Sequence, residues 1–177
     1  MDPFATLGLP RRYEVDPAEL ETRYRELQRA LHPDRHTHES PAQRRIALAK
    51  AVEVNEAYRA LKDELARGEA LLALERAPAA AGERAAESPE FLMEMMERRE
   101  ALGEARAARD AAKVRAMADE IVGVQSRARA ELVTAFAVGG DDGLAQAARL
   151  LGRLKYYRRF LDEVLAIEDE EDREAAG

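Results

Sequence analysis

Three histidines within a short stretch, His32, His36 and His38, are the side chains of this 177-residue chain whose spacing first suggests chemistry. Imidazole nitrogens bind metal ions and transfer protons near neutral pH. The same stretch contains Pro33 and Asp34, directly after His32, and the chain has no cysteine that could add a thiolate ligand. We therefore favour a contact role for the tripeptide His32-Pro33-Asp34 over a metal site built on the three histidines.

The sequence as a whole does not indicate an enzyme. It contains no recognisable nucleophile–base set, phosphate-binding loop or metal cluster, so we expect neither catalysis nor a cofactor. The formal net charge of -7 disfavours general nucleic-acid binding. There is no charged-then-apolar leader pattern and no apolar run of membrane-spanning length, and the lack of cysteine suits a reducing compartment. These features predict a cytoplasmic protein that binds neither nucleic acid nor membrane.

The tripeptide lies between two strongly patterned segments, Asp16 to Leu31 and Ser40 to Leu61. Each begins with an N-cap residue, a proline and a capping-box partner, as Asp16-Pro17-Ala18-Glu19 and Ser40-Pro41-Ala42-Gln43. Pro33 ends the first helix, because proline lacks the N–H that a helix needs and disfavours the helical conformation at the residue before it. The sequence thus predicts an antiparallel helical hairpin with the tripeptide exposed at its tip.

Each of these two helices has an apolar stripe, and the first also has a basic face. Apolar residues recur at helical spacing at Leu20, Tyr24, Leu27 and Leu31, and then at Ala47, Ala51, Val54, Tyr58, Leu61 and Leu65. Arg23, Arg25 and Arg29 lie away from the first stripe. These arginines could simply form a solvated face, but beside the tripeptide we interpret them as a docking face for a partner.

Together these features resemble the J domain, the module by which J-proteins stimulate DnaK-type chaperones. Phe4-Ala5-Thr6-Leu7-Gly8-Leu9 is similar to its short first helix, and Val54-Asn55-Glu56-Ala57-Tyr58-Arg59-Ala60-Leu61 is similar to the core segment of its third helix. The resemblance implies that the His-Pro-Asp turn contacts the chaperone and promotes ATP hydrolysis there, not in this chain. The implied chaperone-binding residues are Arg23, Arg25, Arg29, His32, Pro33, Asp34 and Arg35.

We expect an all-α protein of two domains. The abundance of Ala, Leu, Glu and Arg, with only 5% aromatic residues, favours helices throughout. The J domain would span residues 1–76, and small residues from Ala77 to Gly82 interrupt the helical periodicity, so we predict a linker at 77–86. The second domain would occupy residues 87–170, followed by an acidic tail at 171–177.

The second domain is predicted to be a three-helix bundle. Ser88-Pro89 starts its first helix, the second runs from Ala111 to Ala137, and the third runs from Leu144 to Ile167. Gly139-Gly140-Asp141 separates the second helix from the third as a break and cap.

The first helix of this bundle has two apolar faces. At about 100° per residue, Phe91, Met95, Leu102 and Ala105 form one stripe, as a core requires. A second set lies roughly opposite and combines apolar with acidic side chains: Leu92, Met93, Met96, Glu97, Glu100 and Glu104. Its apolar members could belong to a wide core stripe in which methionine fills gaps. The methionines flanked by carboxylates favour the alternative, a partner-binding surface.

A more specific resemblance lies in this helix and at the end of the first domain. Phe91-Leu92-Met93-Glu94-Met95-Met96-Glu97-Arg98-Arg99-Glu100 is similar to the carboxy-terminal motif of the HscB family, J-proteins of iron–sulfur cluster biogenesis, and Leu65-Ala66-Arg67-Gly68-Glu69-Ala70-Leu71-Leu72 resembles the stretch that joins the two HscB domains. The resemblance implies two partners, the chaperone HscA and the cluster scaffold protein IscU. The implied scaffold-binding residues are Leu92, Met93, Met96, Glu97, Glu100, Glu104 and Tyr156.

Two interpretations of Tyr156 stay open. Leu154-Lys155-Tyr156-Tyr157 resembles a family segment that contributes an aromatic contact, but Tyr156 could equally be an ordinary half-buried tyrosine.

Two other functions of the protein also stay open. A general J-domain co-chaperone for unfolded clients would keep the tripeptide and need no specific Leu/Met/Glu surface. A structural helical adaptor would need neither partner.

Overall fold

The computed structural model describes residues 1–32, 38, 40–75 and 87–175, and its secondary structure there is helical. In that part of the chain the helices are α1 Pro3–Leu7, α2 Pro17–Ala30, α3 Pro41–Lys62, α4 Glu64–Glu75, α5 Pro89–Ala107, α6 Ala111–Val138 and α7 Gly140–Ala175. The predicted all-α fold class is confirmed. The chain divides into two compact units, Met1–Ala81 and Gly82–Gly177. None of the described helices has the length and apolarity needed to cross a bilayer.

The first unit is organised around α3, which packs against α1, α2 and α4. Its buried core draws on all four helices: Phe4, Leu7, Leu20, Ala47, Val54, Ala57, Leu61, Leu65 and Leu71. The short α1 contributes the largest of these side chains, Phe4, which is fully buried. Burial of apolar surface against α3 therefore holds α1 in place, although a helix of five residues has little stability by itself.

Polar and aromatic contacts join α2 to α3. Tyr58 Oη donates a hydrogen bond to Glu21 Oε2 (2.5 Å), and Tyr24 Oη donates to Asn55 Oδ1 (3.0 Å). The rings of Tyr24 and Tyr58 stack with their centroids 4.0 Å apart. Residues later in α2 thus meet residues earlier in α3, so the two helices are antiparallel, as the predicted hairpin requires.

The two predicted capping boxes have different outcomes. At the start of α3, Ser40 Oγ accepts from the Gln43 N–H and Gln43 Oε1 accepts from the Ser40 N–H, which completes the box. At the start of α2, Asp16 Oδ1 accepts from the Ala18 N–H (2.9 Å), and Glu19 returns no bond among the described residues. The prediction for Glu19 was wrong because the aspartate cap bonds the second N–H of the helix instead of the third.

Leu65 is buried and lies in α4. Its spacing had placed it on the stripe of α3, which is wrong, and Leu65, Leu71, Leu72 and Leu74 also predicted a further short helix, which is confirmed as α4. α3 ends at Lys62, and the backbone of Asp63 is extended (φ -80°, ψ 125°). The Asp63 carboxylate then accepts a hydrogen bond from the Ala66 N–H (2.8 Å) and so caps the next helix. A one-residue break of this kind leaves the apolar spacing nearly unchanged, which explains why the periodicity alone did not show it.

The second unit is a three-helix bundle in which α5 and α7 run parallel and α6 runs antiparallel to both. Arg99 of α5 pairs with Glu163 of α7, and Arg106 pairs with Glu170 (2.6 Å). The later residue of α5 thus pairs with the later residue of α7, so these two helices run in the same direction. The buried residues of α5 are Phe91, Met95, Leu102 and Ala105. They are the residues of the predicted core stripe, which is therefore confirmed.

The turn between α6 and α7 is shorter, and α7 longer, than the sequence predicted. Gly139 alone separates the two helices, and both Gly139 (φ 63°) and Gly140 (φ 62°) have the left-handed backbone that glycine tolerates best. At its other end α7 continues through the segment predicted as an acidic tail, as far as Ala175. Glu168 and Glu170 at this acidic end form exposed ion pairs with arginines of α6 and α5, and each such pair contributes little to stability.

Candidate functional site

The candidate chaperone-binding face on α2 consists of exposed arginines. Arg25 pairs with Glu21 one turn earlier (2.7 Å), and its side chain keeps 66% of its accessible surface. Arg23 lies 3.7 Å from Glu26. Arg29, in the last turn of α2, is exposed and forms no ion pair within the described ranges. A cation at a helix C-terminus is favourable, and Arg29 lies in this position, three residues before His32 in the chain.

Glu21 links this basic face to the contact between α2 and α3. The hydrogen bond from the Tyr58 hydroxyl, followed by the bond from Arg25, lowers the pKa of Glu21 below its ordinary value. The same bond to the carboxylate raises the pKa of Tyr58 above its ordinary value. The sequence interpretation overlooked Glu21, although its spacing of four residues from Arg25 is the usual signal for a helical ion pair.

Only part of the predicted turn is described. His32 follows Leu31, the C-cap of α2, and is exposed; His38 is also exposed. Pro33, Asp34 and Arg35, all predicted chaperone-binding residues, lie outside the described residues, as does His36. In the described part of the chain, no group of three or more histidine, aspartate or glutamate side chains is placed to hold a metal ion.

The apolar part of the candidate scaffold-binding surface lies on α5. Met93 and Met96 keep 61% and 71% of their accessible surface, whereas Met95 between them keeps 4%. Leu92 is half-buried and packs against the core of the bundle. The alternative of a wide core stripe thus describes Leu92 in part, but neither of the two exposed methionines.

Carboxylates border these methionines, and the arginines of α5 do not neutralise them. Glu97, Glu100 and Glu104 are exposed and form no ion pair among the described residues. The arginines of α5 pair elsewhere: Arg98 with Glu94 and Glu120, Arg99 with Glu163, and Arg106 with Glu170. The surface is therefore apolar and acidic, which suits a partner with apolar and basic groups. We call Leu92, Met93, Met96, Glu97, Glu100 and Glu104 the α5 surface.

Tyr156 lies on α7 beside the start of α5. Its ring meets the ring of Phe91 edge to face, with centroids 5.6 Å apart, and Tyr157 makes a similar contact at 5.9 Å. Tyr156 is half-buried and packs against the bundle core. Burial also raises the pKa of Tyr157. Because α5 and α7 run parallel, Tyr156 lies next to Phe91, the neighbour of Leu92 in the chain.

Comparisons with known proteins match both units. A family model described as "DnaJ domain" matches residues 2–69, and one described as "HSCB C-terminal oligomerisation domain" matches residues 87–165. With the antiparallel hairpin and the bundle, these matches define the class: the chain is a J-domain co-chaperone. A J-domain co-chaperone implies a DnaK-type chaperone as its partner, and the homologues of this chain are co-chaperones, which is a non-catalytic role.

Similarity to particular proteins extends over nearly the whole chain. The "Co-chaperone protein HscB homolog" of Ralstonia nicotianae is 37% identical over 92% of this chain and 93% of its own. The homolog of Burkholderia multivorans is 38% identical over 91% of this chain and 90% of its own. Among solved structures, "Chaperone HscB from Vibrio cholerae" superposes with a TM-score of 0.81 at 33% identity, covering 96% of this chain and 99% of that one. The chain belongs to the HscB co-chaperone family.

Proposed function

We propose that this chain stimulates the ATPase activity of the chaperone HscA and delivers the iron–sulfur scaffold protein IscU to it. The arginines of α2 and the turn that begins at His32 would contact HscA. The α5 surface, with Tyr156, would bind IscU. Membership of the HscB family supports both assignments, because the family resemblance implies both partners.

The observation that carries the scaffold assignment is the exposure of Met93 and Met96. Two large apolar side chains, three residues apart on one helix, stay in solvent while Met95 enters the core. Isolated exposed apolar residues are ordinary, but an apolar patch rimmed by unpaired carboxylates is typical of a protein-binding site. Methionine also adapts its shape to a partner at little cost in conformational strain.

The two proposed surfaces consist of residues from different units of the chain. The α2 face is in Met1–Ala81 and the α5 surface in Gly82–Gly177. One chain that binds both partners would raise the effective concentration of IscU at HscA, without any contact between the two sites. This coupling would explain why the two activities occur in one protein.

The steady-state ATPase rate of HscA, measured with and without this chain, tests the chaperone assignment. We expect stimulation that is lost in His32→Gln and retained in the matched control His38→Gln, which changes another exposed histidine of the same stretch. Equal stimulation by His32→Gln and wild type would refute the role of the turn.

Calorimetric titration of the full chain with IscU tests the scaffold assignment. We expect binding that is weakened by Met93→Ala and Met96→Ala. No binding by the wild-type chain would overturn the IscU assignment and favour the general co-chaperone for unfolded clients.

A further inference from the structure

Glu87, just before α5, has a buried carboxylate. Its side chain keeps only 7% of its accessible surface, and Oε2 accepts a hydrogen bond from Arg153 Nε of α7 (3.4 Å). The other oxygen, Oε1, is buried without a hydrogen-bond partner among the described residues. A glutamate this enclosed cannot form a broad contact with another protein, so any role in binding must act through its neighbours.

Gly152 makes room for this carboxylate. A Cβ atom built on Gly152 would overlap Glu87 Oε1, so the carboxylate would have to move from this position if a larger residue replaced Gly152. Glycine weakens the interior of a helix such as α7, and the space that it leaves is filled by Glu87. The fit between Glu87 and Gly152 thus fastens the start of α5 to α7.

From Glu87 a chain of contacts leads to the scaffold-binding side of the bundle. The Arg153 guanidinium, which bonds Glu87, lies over the ring of Phe91 with its carbon 5.0 Å from the ring centroid. Phe91 in turn meets the edges of Tyr156 and Tyr157. The position of Glu87 therefore influences where Phe91 and Tyr156 stand, next to Leu92 of the α5 surface.

The surroundings of Glu87 disfavour its charged form. Burial raises the pKa of Glu87 above its ordinary value, and the opposing effects of Arg153 and Arg149 do not cancel this. A carboxylate in these surroundings gains little from its charge. The position of Glu87 is more readily explained by the oxygen that it presents to Arg153 Nε.

We propose that Glu87 is a positioning residue for IscU binding: with Gly152 it forms a clasp that holds Arg153 over Phe91 and so orients Tyr156. This inference rests on the proposed function of the α5 surface. It adds to that surface a residue that IscU would not touch and that no sequence pattern indicated.

Titration of full-length variants with IscU provides the first test. Glu87→Ala and Gly152→Ala each remove the clasp, and we expect each to weaken binding by about five-fold. Glu87→Gln keeps an oxygen that can accept from Arg153, so its affinity should stay near that of the wild type. Gly123→Ala is the matched control, because a Cβ atom on this helical glycine of α6 would make only an ordinary contact with the Arg127 side chain (3.9 Å), and it should leave the affinity unchanged.

A double variant shows whether Glu87→Ala and Gly152→Ala weaken binding through the same contact or independently. If Gly152→Ala acts by expelling the Glu87 carboxylate, the combination of Glu87→Ala and Gly152→Ala should bind IscU as each single variant does. Losses that add would overturn the proposal, as would wild-type affinity in Glu87→Ala.

Near-ultraviolet circular dichroism tests the ring positions without any partner. The chain has five tyrosines, four phenylalanines and no tryptophan, so this signal reports tyrosine and phenylalanine alone. We expect it to weaken in Glu87→Ala and Gly152→Ala and to persist in Glu87→Gln, with far-ultraviolet spectra that confirm folding. An unchanged near-ultraviolet signal in Glu87→Ala would refute the clasp. A wild-type chain that fails to bind IscU would instead refute the scaffold assignment and, with it, the binding role of Glu87.

Discussion

Three methionines of α5 should respond in opposite ways to the same substitution. Met93 and Met96 keep 61% and 71% of their accessible surface, and Met95 keeps 4%. We expect the double variant Met93→Ala/Met96→Ala to lose affinity for IscU with little change in stability. Met95→Ala should instead destabilise the bundle, because it leaves a cavity among the core residues around Phe91 and Leu102.

The burial of each residue sets the expected magnitudes. Full burial of a methionine side chain contributes about 1.5–3 kcal/mol, and roughly two-thirds of that surface is still available on Met93 and Met96. Allowing for the methyl group that alanine retains, each truncation should cost about 1 kcal/mol of binding free energy, or about 30-fold in Kd for the pair. A buried methionine replaced by alanine costs about 2–5 kcal/mol of folding free energy.

Two measurements are made on the wild type, the double variant Met93→Ala/Met96→Ala and Met95→Ala. Calorimetric titration with IscU gives Kd, and thermal unfolding followed by circular dichroism gives Tm. For a unit of this size, a loss of 2 kcal/mol should lower Tm by about 8 °C or more in Met95→Ala. The double variant should unfold within about 2 °C of the wild type, because surface substitutions rarely change stability by more than about 0.5 kcal/mol.

The opposite pattern would refute the reasoning. If the double variant unfolded as early as Met95→Ala, Met93 and Met96 would belong to the core, and the wide-stripe interpretation would be correct for them. If it kept both Tm and the affinity for IscU, the exposed methionines would not be the contact, and the binding surface would have to be sought elsewhere on the bundle.

Two further predictions concern pH and packing. The pKa of Glu21 is lowered, so its contribution to stability is complete above its ordinary pKa and is lost as the pH falls through the lowered value. Tyr58→Phe removes the main cause of this lowering, so the Tm of the variant should fall less than that of the wild type when the pH is lowered from about 6 to about 3. Superimposable curves would contradict this. Gly143→Ala should lower the free energy of unfolding by about 1–3 kcal/mol, because its Cβ would lie 2.6 Å from the carbonyl oxygen of Ala135. Gly103 lies on an exposed part of α5 with open space around it, so Gly103→Ala should raise the free energy of unfolding by about 0.5–1 kcal/mol. Chemical denaturation measures the free energy of unfolding of both variants, and changes of the same sign in the two variants would refute the packing argument.

Helix positions and core faces were accessible from the sequence because local chemistry specifies them. Ser40 and Gln43 form a capping box through their own backbone groups, and this needs no tertiary contact. The core stripe of α5 follows from the helical period, since a helix that buries one face must repeat apolar residues on it. For the same reason the exposed position of Met96, about 100° from Met95, was predictable.

The geometry between helices was not accessible in the same way. The pairing of Arg98 with Glu120, or of Arg99 with Glu163, depends on which helices are neighbours and in which register, and no local pattern encodes either. The burial of Glu87 is a stronger case. A lone glutamate before a helix start is ordinarily solvated, and only the parallel arrangement of α5 and α7 brings it against Gly152.

α5 uses separate side chains for folding and for the proposed binding. Its core stripe packs into the bundle, its arginines pair with carboxylates of α5, α6 and α7, and its remaining carboxylates stay unpaired among the described residues. Because Glu97, Glu100 and Glu104 hold no neighbouring helix, substitutions there can change the affinity for a partner while the bundle keeps its stability. A helix whose arginines had paired with those carboxylates would have lost this separation, since every change in binding charge would then also have weakened the fold.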